Sequence, residues 1–128
     1  MNRALIIDTS IWVGYFRGKD KQLIEVVSEL LRQGRVMLCG VVLCELLCGV
    51  RTKENRDLLR EAMSALEYLE VSRATWELAG ETSSQLARQG IKLPITDLVV
   101  AALAIEHNCQ VFTTDDHFGY IPGIKQFR

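Results

Sequence analysis

The sequence predicts a three-layer α/β fold in which helices cover both faces of a mostly parallel central sheet. Three observations lead there. Short apolar runs recur along the 128 residues, they are separated by segments with apolar residues at helical spacing, and no Pro, Gly or Ser-rich linker interrupts the chain. Parallel strands buried on both faces read as unbroken apolar runs, and right-handed helical crossovers join them. The length suits one domain, residues 1–128, and 48% hydrophobic residues are ample for one core.

Residues 4–7 (Ala-Leu-Ile-Ile) form the first strand, which stops at Asp8. Asp20 then caps a helix whose inner stripe is Leu23, Ile24, Val27, Leu30 and Leu31, with Gly34 as its stop. Residues 36–38 make the second strand, and residues 41–49 (VVLCELLCG), apolar except for Glu45, make a mostly buried helix. Thr52 caps a further helix that turns Leu58, Leu59, Ala62, Met63 and Leu66 inward, and residues 68–71 follow as a strand with Leu69 and Val71 on one face. Ser72 caps a helix bearing Trp76, Ala79, Ser83, Leu86 and Ala87, closed by Gly90. Thr96 caps the run DLVVAALAIEH, residues 110–113 form the next strand, and residues 125–127 add a short piece at the sheet edge.

Composition narrows the function. Fifteen Lys and Arg against sixteen Asp and Glu leave a formal charge of −1, so there is no global pull toward nucleic acid or an anionic membrane, and any RNA contact must be local. The apolar runs are too short for a signal segment or a membrane span, which predicts a cytoplasmic protein. Cys39, Cys44, Cys48 and Cys109 lack the paired spacing of a zinc site and read as small core hydrophobes.

Four carboxylates fall where solvated acids do not belong. Asp8 ends a buried strand and Asp115 follows another, so both sit at the carboxyl ends of parallel strands, where open α/β sheets place their ligand crevice. Glu45 breaks a stretch otherwise free of charge, and its buried setting would demand a partner; an ion pair with Arg3 or Arg51 is the alternative. Asp97 opens a helix so apolar that it must lie deep in the fold. If the four converge at about 5 Å, each of the like-charge pairs repels by roughly 3 kcal/mol at an effective dielectric near 20. Together that is on the order of 20 kcal/mol, above the roughly 5 to 15 kcal/mol stability of a whole domain. Such a cluster binds cations or shares protons, and all-oxygen ligation selects hard ions such as Mg²⁺ or Mn²⁺.

At this point the segments IIDTSIWVGYF (6–16), ELLCG (45–49), PITDLVVAALAIEH (94–107) and TTDDHF (113–118) resemble those of PIN-domain ribonucleases, especially VapC-type toxins. The similarity runs over essentially the whole chain, and the order and spacing of the motifs carry it. It implies a PIN-like fold, with the acidic quartet on Asp8, Glu45, Asp97 and Asp115. It also implies Mg²⁺ or Mn²⁺ dependence, endonucleolytic RNA cleavage, a homodimer, and an antitoxin protein that blocks the site. Ser10 and Thr113 match small hydroxyl positions beside the metal and would hydrogen-bond a ligating carboxylate or a metal-bound water. Asp116, next to Asp115, has no clear equivalent and leaves the fourth acid open between the two.

The chemistry expected of such a site is in-line attack of water on the phosphodiester, with one or two Mg²⁺ ions activating the water and neutralising phosphate charge. His117 is read as lying outside that chemistry, with Phe118 doing the packing, and His107 as a partner of its helix's C-terminal dipole. Arg17, Lys19, Arg51 and Lys53 follow the segments bearing Asp8 and Glu45 and are candidates for RNA contact. Trp12, Tyr15 and Phe16 have helical spacing that suits core or dimer contact, or base stacking. Two other readings compete: a non-catalytic PIN-like binding module, and an aspartate-dependent phosphotransfer domain, which the lack of an acid beside Asp8 disfavours.

Overall fold

Leu5, Ile6 and Ile7 have no exposed surface, as a run buried on both sheet faces requires, and they form the central strand β1 (Leu5–Ile7). The computed structural model describes residues 3–128. After β1 come α1 (Thr9–Arg17), α2 (Lys21–Arg32), β2 (Val36–Cys39), α3 (Gly40–Cys48), α4 (Lys53–Ser64), β3 (Glu67–Leu69), α5 (Arg73–Arg88), α6 (Ile95–Glu106), β4 (Gln110–Phe112) and a 3₁₀ turn, Asp116–Tyr120. The strands lie in the order β3-β2-β1-β4 and every pairing is parallel, with Leu5 opposite both Val36 and Gln110. Gln126 bridges to Val111 on the outer side of β4, so the short C-terminal piece joins the edge as expected.

Local chemistry sets most boundaries. Asp20 and Thr52 cap α2 and α4, accepting from the backbone N–H of Leu23 and Asn55, and Ser72 closes a capping box with Thr75 at the start of α5. Just past the end of α2, Gly34 takes a φ of +68°, the left-handed conformation that glycine adopts without strain. Gly14 lets α1 and α2 approach closely, since a Cβ there would lie 2.8 Å from Leu23 Cδ2. In α6, residues 98–104 are all buried, because the helix lies against β1 and β4 on one side and α5 on another.

Several expectations need correction. A full helix, α1, follows Asp8 directly, where the sequence reading recognised only the spacing of three aromatic residues. Pro94, not Thr96, stands at the entry to α6; its ring fixes φ at −60°, and Thr96 lies within the first turn. The buried stripe of α5 is Thr75, Ala79, Thr82 and Leu86, which leaves Trp76 55% exposed. The pattern misled because two of those inward residues are threonines, satisfied by bonds to Glu106 and to the Leu78 carbonyl. Leu58 is 65% exposed, with Leu59 and Met63 carrying the inner face of α4. Helix α3 is not mostly buried: Val42 and Leu46 face the core, whereas Cys44, Glu45 and Cys48 are exposed. Only Cys39 and Cys109 behave as buried thiols.

Candidate active site

The strand order marks a candidate ligand position before any side chain is considered. From β1 the chain moves outward to β2 and β3, then returns through α6 to pair β4 with the opposite edge of β1. That reversal falls at the carboxyl ends of β1 and β4, the usual ligand position in an open parallel sheet. Asp8 leaves β1 at this edge and Thr113 to His117 leave β4 beside it. Asp97 enters from the first turn of α6, which packs against both strands.

Hydrogen bonds tie these groups together. Asp8, 8% exposed, occupies the N-cap position of α1, yet its side chain does not cap the helix. Its Oδ2 instead accepts from Thr113 Oγ1 at 2.8 Å and from Ser10 Oγ at 3.3 Å. The same Thr113 oxygen accepts the Asp115 backbone N–H at 2.9 Å, so one hydroxyl links the two acids. The Asp115 carboxylate accepts the His117 backbone N–H at 2.9 Å and thereby caps the 3₁₀ turn. His117 Nδ1 lies 2.8 Å from Asp97 Oδ2 and 3.1 Å from Asp115 Oδ1.

The electrostatics follow. Burial pushes the Asp97 carboxyl above its ordinary range; the His117 hydrogen bond opposes this, and the nearby charges of Asp115 and Asp8 add to the rise. The imidazole of His117 is raised, first by its bond to Asp97 and also by the charges of Asp115, Asp97 and Asp116. Among the described residues, no Lys or Arg forms an ion pair with Asp8, Glu45, Asp97 or Asp115. Three carboxylates therefore share one end of the sheet, and among the described residues a single imidazole is their only basic contact. That donor set fits a hard divalent cation, whose charge would offset the mutual repulsion.

The sequence-derived residues divide accordingly. Asp97 and Asp115 come together, with the three ligating atoms of Asp97, Asp115 and His117 within 4.8 Å of one another. Asp8 joins them through Thr113. Asp116 is exposed on the turn, so Asp115 is the acid that faces the group. Glu45 stands outside the tight cluster: it is exposed, has neither Arg3 nor Arg51 as ion-pair partner, and its Oε1 accepts from Thr9 Oγ1 at 2.7 Å. Burial raises the Cys39 thiol, and Asp8 and Glu45 both add to the rise, so both carboxylates are within electrostatic reach of that residue. Arg17 and Glu45 line one groove of about 630 Å³ between α1, α3 and α4, together with Phe16 and Asn55. Lys19, Arg51 and Lys53 are exposed but do not line it.

Two contacts were missed from sequence. Thr9, like Ser10 a hydroxyl close after the acid at the strand end, is the one that bonds Glu45. His117 was set aside as a loop residue, although its place two residues after Asp115 on a turn anchored by fully buried Phe118 fixes its ring against the acids.

A parallel sheet with three carboxylates gathered at the carboxyl edge of its reversal point defines the class, a three-layer α/β/α protein. A PIN domain family model matches residues 5–124. The chain is 30% identical to ribonuclease VapC11 of Mycobacterium tuberculosis, covering 97% of this chain and 96% of that one. Its fold is similar to that in the crystal structure of DNA-bound VapBC from Salmonella typhimurium (TM-score 0.84, 23% identity, 98% of each chain). It is also similar to that in a toxin-antitoxin complex from Klebsiella pneumoniae (TM-score 0.72, 22% identity, 94% of this chain and 95% of that one). The chain belongs to the PIN domain family, among its VapC ribonucleases.

Proposed function

We propose that residues 1–128 form one nuclease unit that cuts RNA endonucleolytically with Mg²⁺ or Mn²⁺, and that the protein is the toxin half of a toxin-antitoxin pair acting in the cytoplasm. The observation that carries the reading is the gathering of Asp8, Asp97 and Asp115 at the carboxyl edge of the sheet with no Lys or Arg counter-charge among the described residues. Asp8, Asp97 and Asp115 would hold the divalent ion, which would supply Lewis acidity toward the scissile phosphate.

The chain's own residues do the positioning. Thr113 and Ser10 fix the direction of the Asp8 carboxylate, and Thr113 couples it to Asp115. Glu45, exposed and held by Thr9, is the outer acid that we assign to meet the RNA. Arg17, in the groove with Glu45, offers a guanidinium to an RNA phosphate, with Lys19, Arg51 and Lys53 as outer candidates. In-line attack by water leaves 5′-phosphate and 3′-hydroxyl ends and needs no 2′-hydroxyl nucleophile.

The relatives supply the rest of the reading. Solved neighbours are VapBC and toxin-antitoxin complexes, which supports an antitoxin protein as partner, and we assign a homodimer on the family pattern. No helix among the described residues is long and apolar enough to cross a membrane. The test is cleavage of cellular RNA by the purified chain with Mg²⁺ or Mn²⁺, followed by mapping of the new ends. Asp8→Asn and Asp97→Asn should be nearly inactive, and co-expression with the protein encoded beside it should suppress cleavage. Undiminished cutting in EDTA rejects the mechanism.

A further inference from the structure

Resting on the metal-dependent reading above, we propose that His117 is itself a ligand of the ion, making the site a mixed nitrogen and oxygen centre that favours borderline metals over Mg²⁺. Its Nδ1 is 2.8 Å from Asp97 Oδ2 and 3.1 Å from Asp115 Oδ1. An octahedral ion with bonds of about 2.1 Å sets neighbouring ligand atoms roughly 3.0 Å apart. Both separations match that edge, so an ion can take the place of the hydrogen bonds with the imidazole turning its lone pair inward.

The ring is also held in place. Its backbone N–H is tied to Asp115 Oδ1 at 2.9 Å, and Phe118, the next residue, has no exposed surface and anchors the 3₁₀ turn in the core. His117 is therefore built onto the same rigid turn as Asp115, which is the arrangement a ligand pair requires. The selectivity follows from donor chemistry. Carboxylates suit Mg²⁺ and Mn²⁺ alike, whereas an imidazole adds affinity along the series from Mn²⁺ to Co²⁺ and little for Mg²⁺.

The experiment uses full-length, tag-free protein, so that His117 and His107 are its only histidines. Pulsed EPR of the Mn²⁺-loaded protein reads whether an imidazole nitrogen is bound, and His107, at the other end of α6 from Asp97, serves as the internal contrast. Nitrogen coupling is expected in the parent and absent in His117→Ala and His117→Asn. Co²⁺ binding, followed by its visible absorption, should weaken at least about tenfold in both variants, in the range that ligand-shell changes produce. Mg²⁺ binding, followed by thermal shift, should change much less. Nitrogen coupling absent from Mn²⁺-loaded parent protein, or equal losses for Co²⁺ and Mg²⁺, overturns the assignment while leaving the oxygen-only metal site standing. A parent protein that binds none of the three ions brings down the proposed function as well.

Discussion

Asp97 shows how burial of one carboxylate can cost stability. Its carboxyl sits above the ordinary value of 3.8, chiefly because burial disfavours the charge. The folded chain therefore holds that proton more tightly than the unfolded chain. Metal-free stability falls as pH climbs from 3.8 toward the raised value and stays lower above it. Asp97→Asn removes this penalty and keeps an oxygen to accept from His117. In EDTA at neutral pH it should melt above the parent, with the gap closing below pH 3.8; Mn²⁺ should then raise the parent's melting point and leave the variant's unchanged. A variant that melts no higher than the parent in EDTA would show that burial does not strain this acid. Thr113 makes a second residue-level case, because its hydroxyl both donates to Asp8 and accepts from the Asp115 amide. Thr113→Val keeps the shape and loses both bonds, so Mn²⁺ affinity should drop about 10- to 100-fold with the fold intact, as loss of an outer-shell partner commonly does.

At the level of elements, the same residue type serves opposite ends at two helix starts. Asp20 caps α2 through a bond from the Leu23 amide, whereas Asp8, in the equivalent position on α1, leaves that helix uncapped and turns its Oδ2 to Thr113 and Ser10. Asp20→Ala should lower stability by about 1 kcal/mol, the usual loss for a cap, without affecting cleavage. Asp8→Asn should abolish cleavage with no capping loss in a denaturant melt. Equal destabilisation by the two would mean that Asp8 is structural. This contrast also explains what the sequence could convey about elements. The caps at Asp20, Thr52 and Ser72 were legible because short polar side chains bond locally, and so were the strands, whose apolar runs stop abruptly. The inner faces of α4 and α5 were less legible. Whether Leu58 or Leu59, and Trp76 or Thr75, turns inward depends on packing partners far away in the chain, and a buried threonine bonded to Glu106 looks like a surface residue until that partner is known.

For the molecule as a whole, the site was legible to the extent that chain position fixes it. Strand ends dictate where Asp8 and Asp115 lie, and α6 dictates where Asp97 enters, so those three could be found by burial and topology alone. Glu45 interrupts an apolar run, which suggests a buried charge, yet it is exposed and held by Thr9. For His117 the sequence offers its place two residues after Asp115, while its contact with Asp97 depends on folding to bring α6 against that turn. The charge balance, fifteen basic against sixteen acidic residues, carries a further consequence. With no net attraction for a polyanion, RNA binding must depend on a few local contacts, and its salt dependence should be shallow. Each phosphate contact on single-stranded nucleic acid contributes a slope of about −0.7 to log K against log salt. Arg17, the basic residue that shares a groove with Glu45, is the first to test. In an Asp8→Asn background, where binding is measured without cleavage, Arg17→Ala should weaken RNA binding and flatten that slope by about 0.7, one contact's worth. An unchanged slope would show that the groove does not carry the phosphate backbone, and the same measurement on Arg51→Ala and Lys53→Ala would then locate the path outside it.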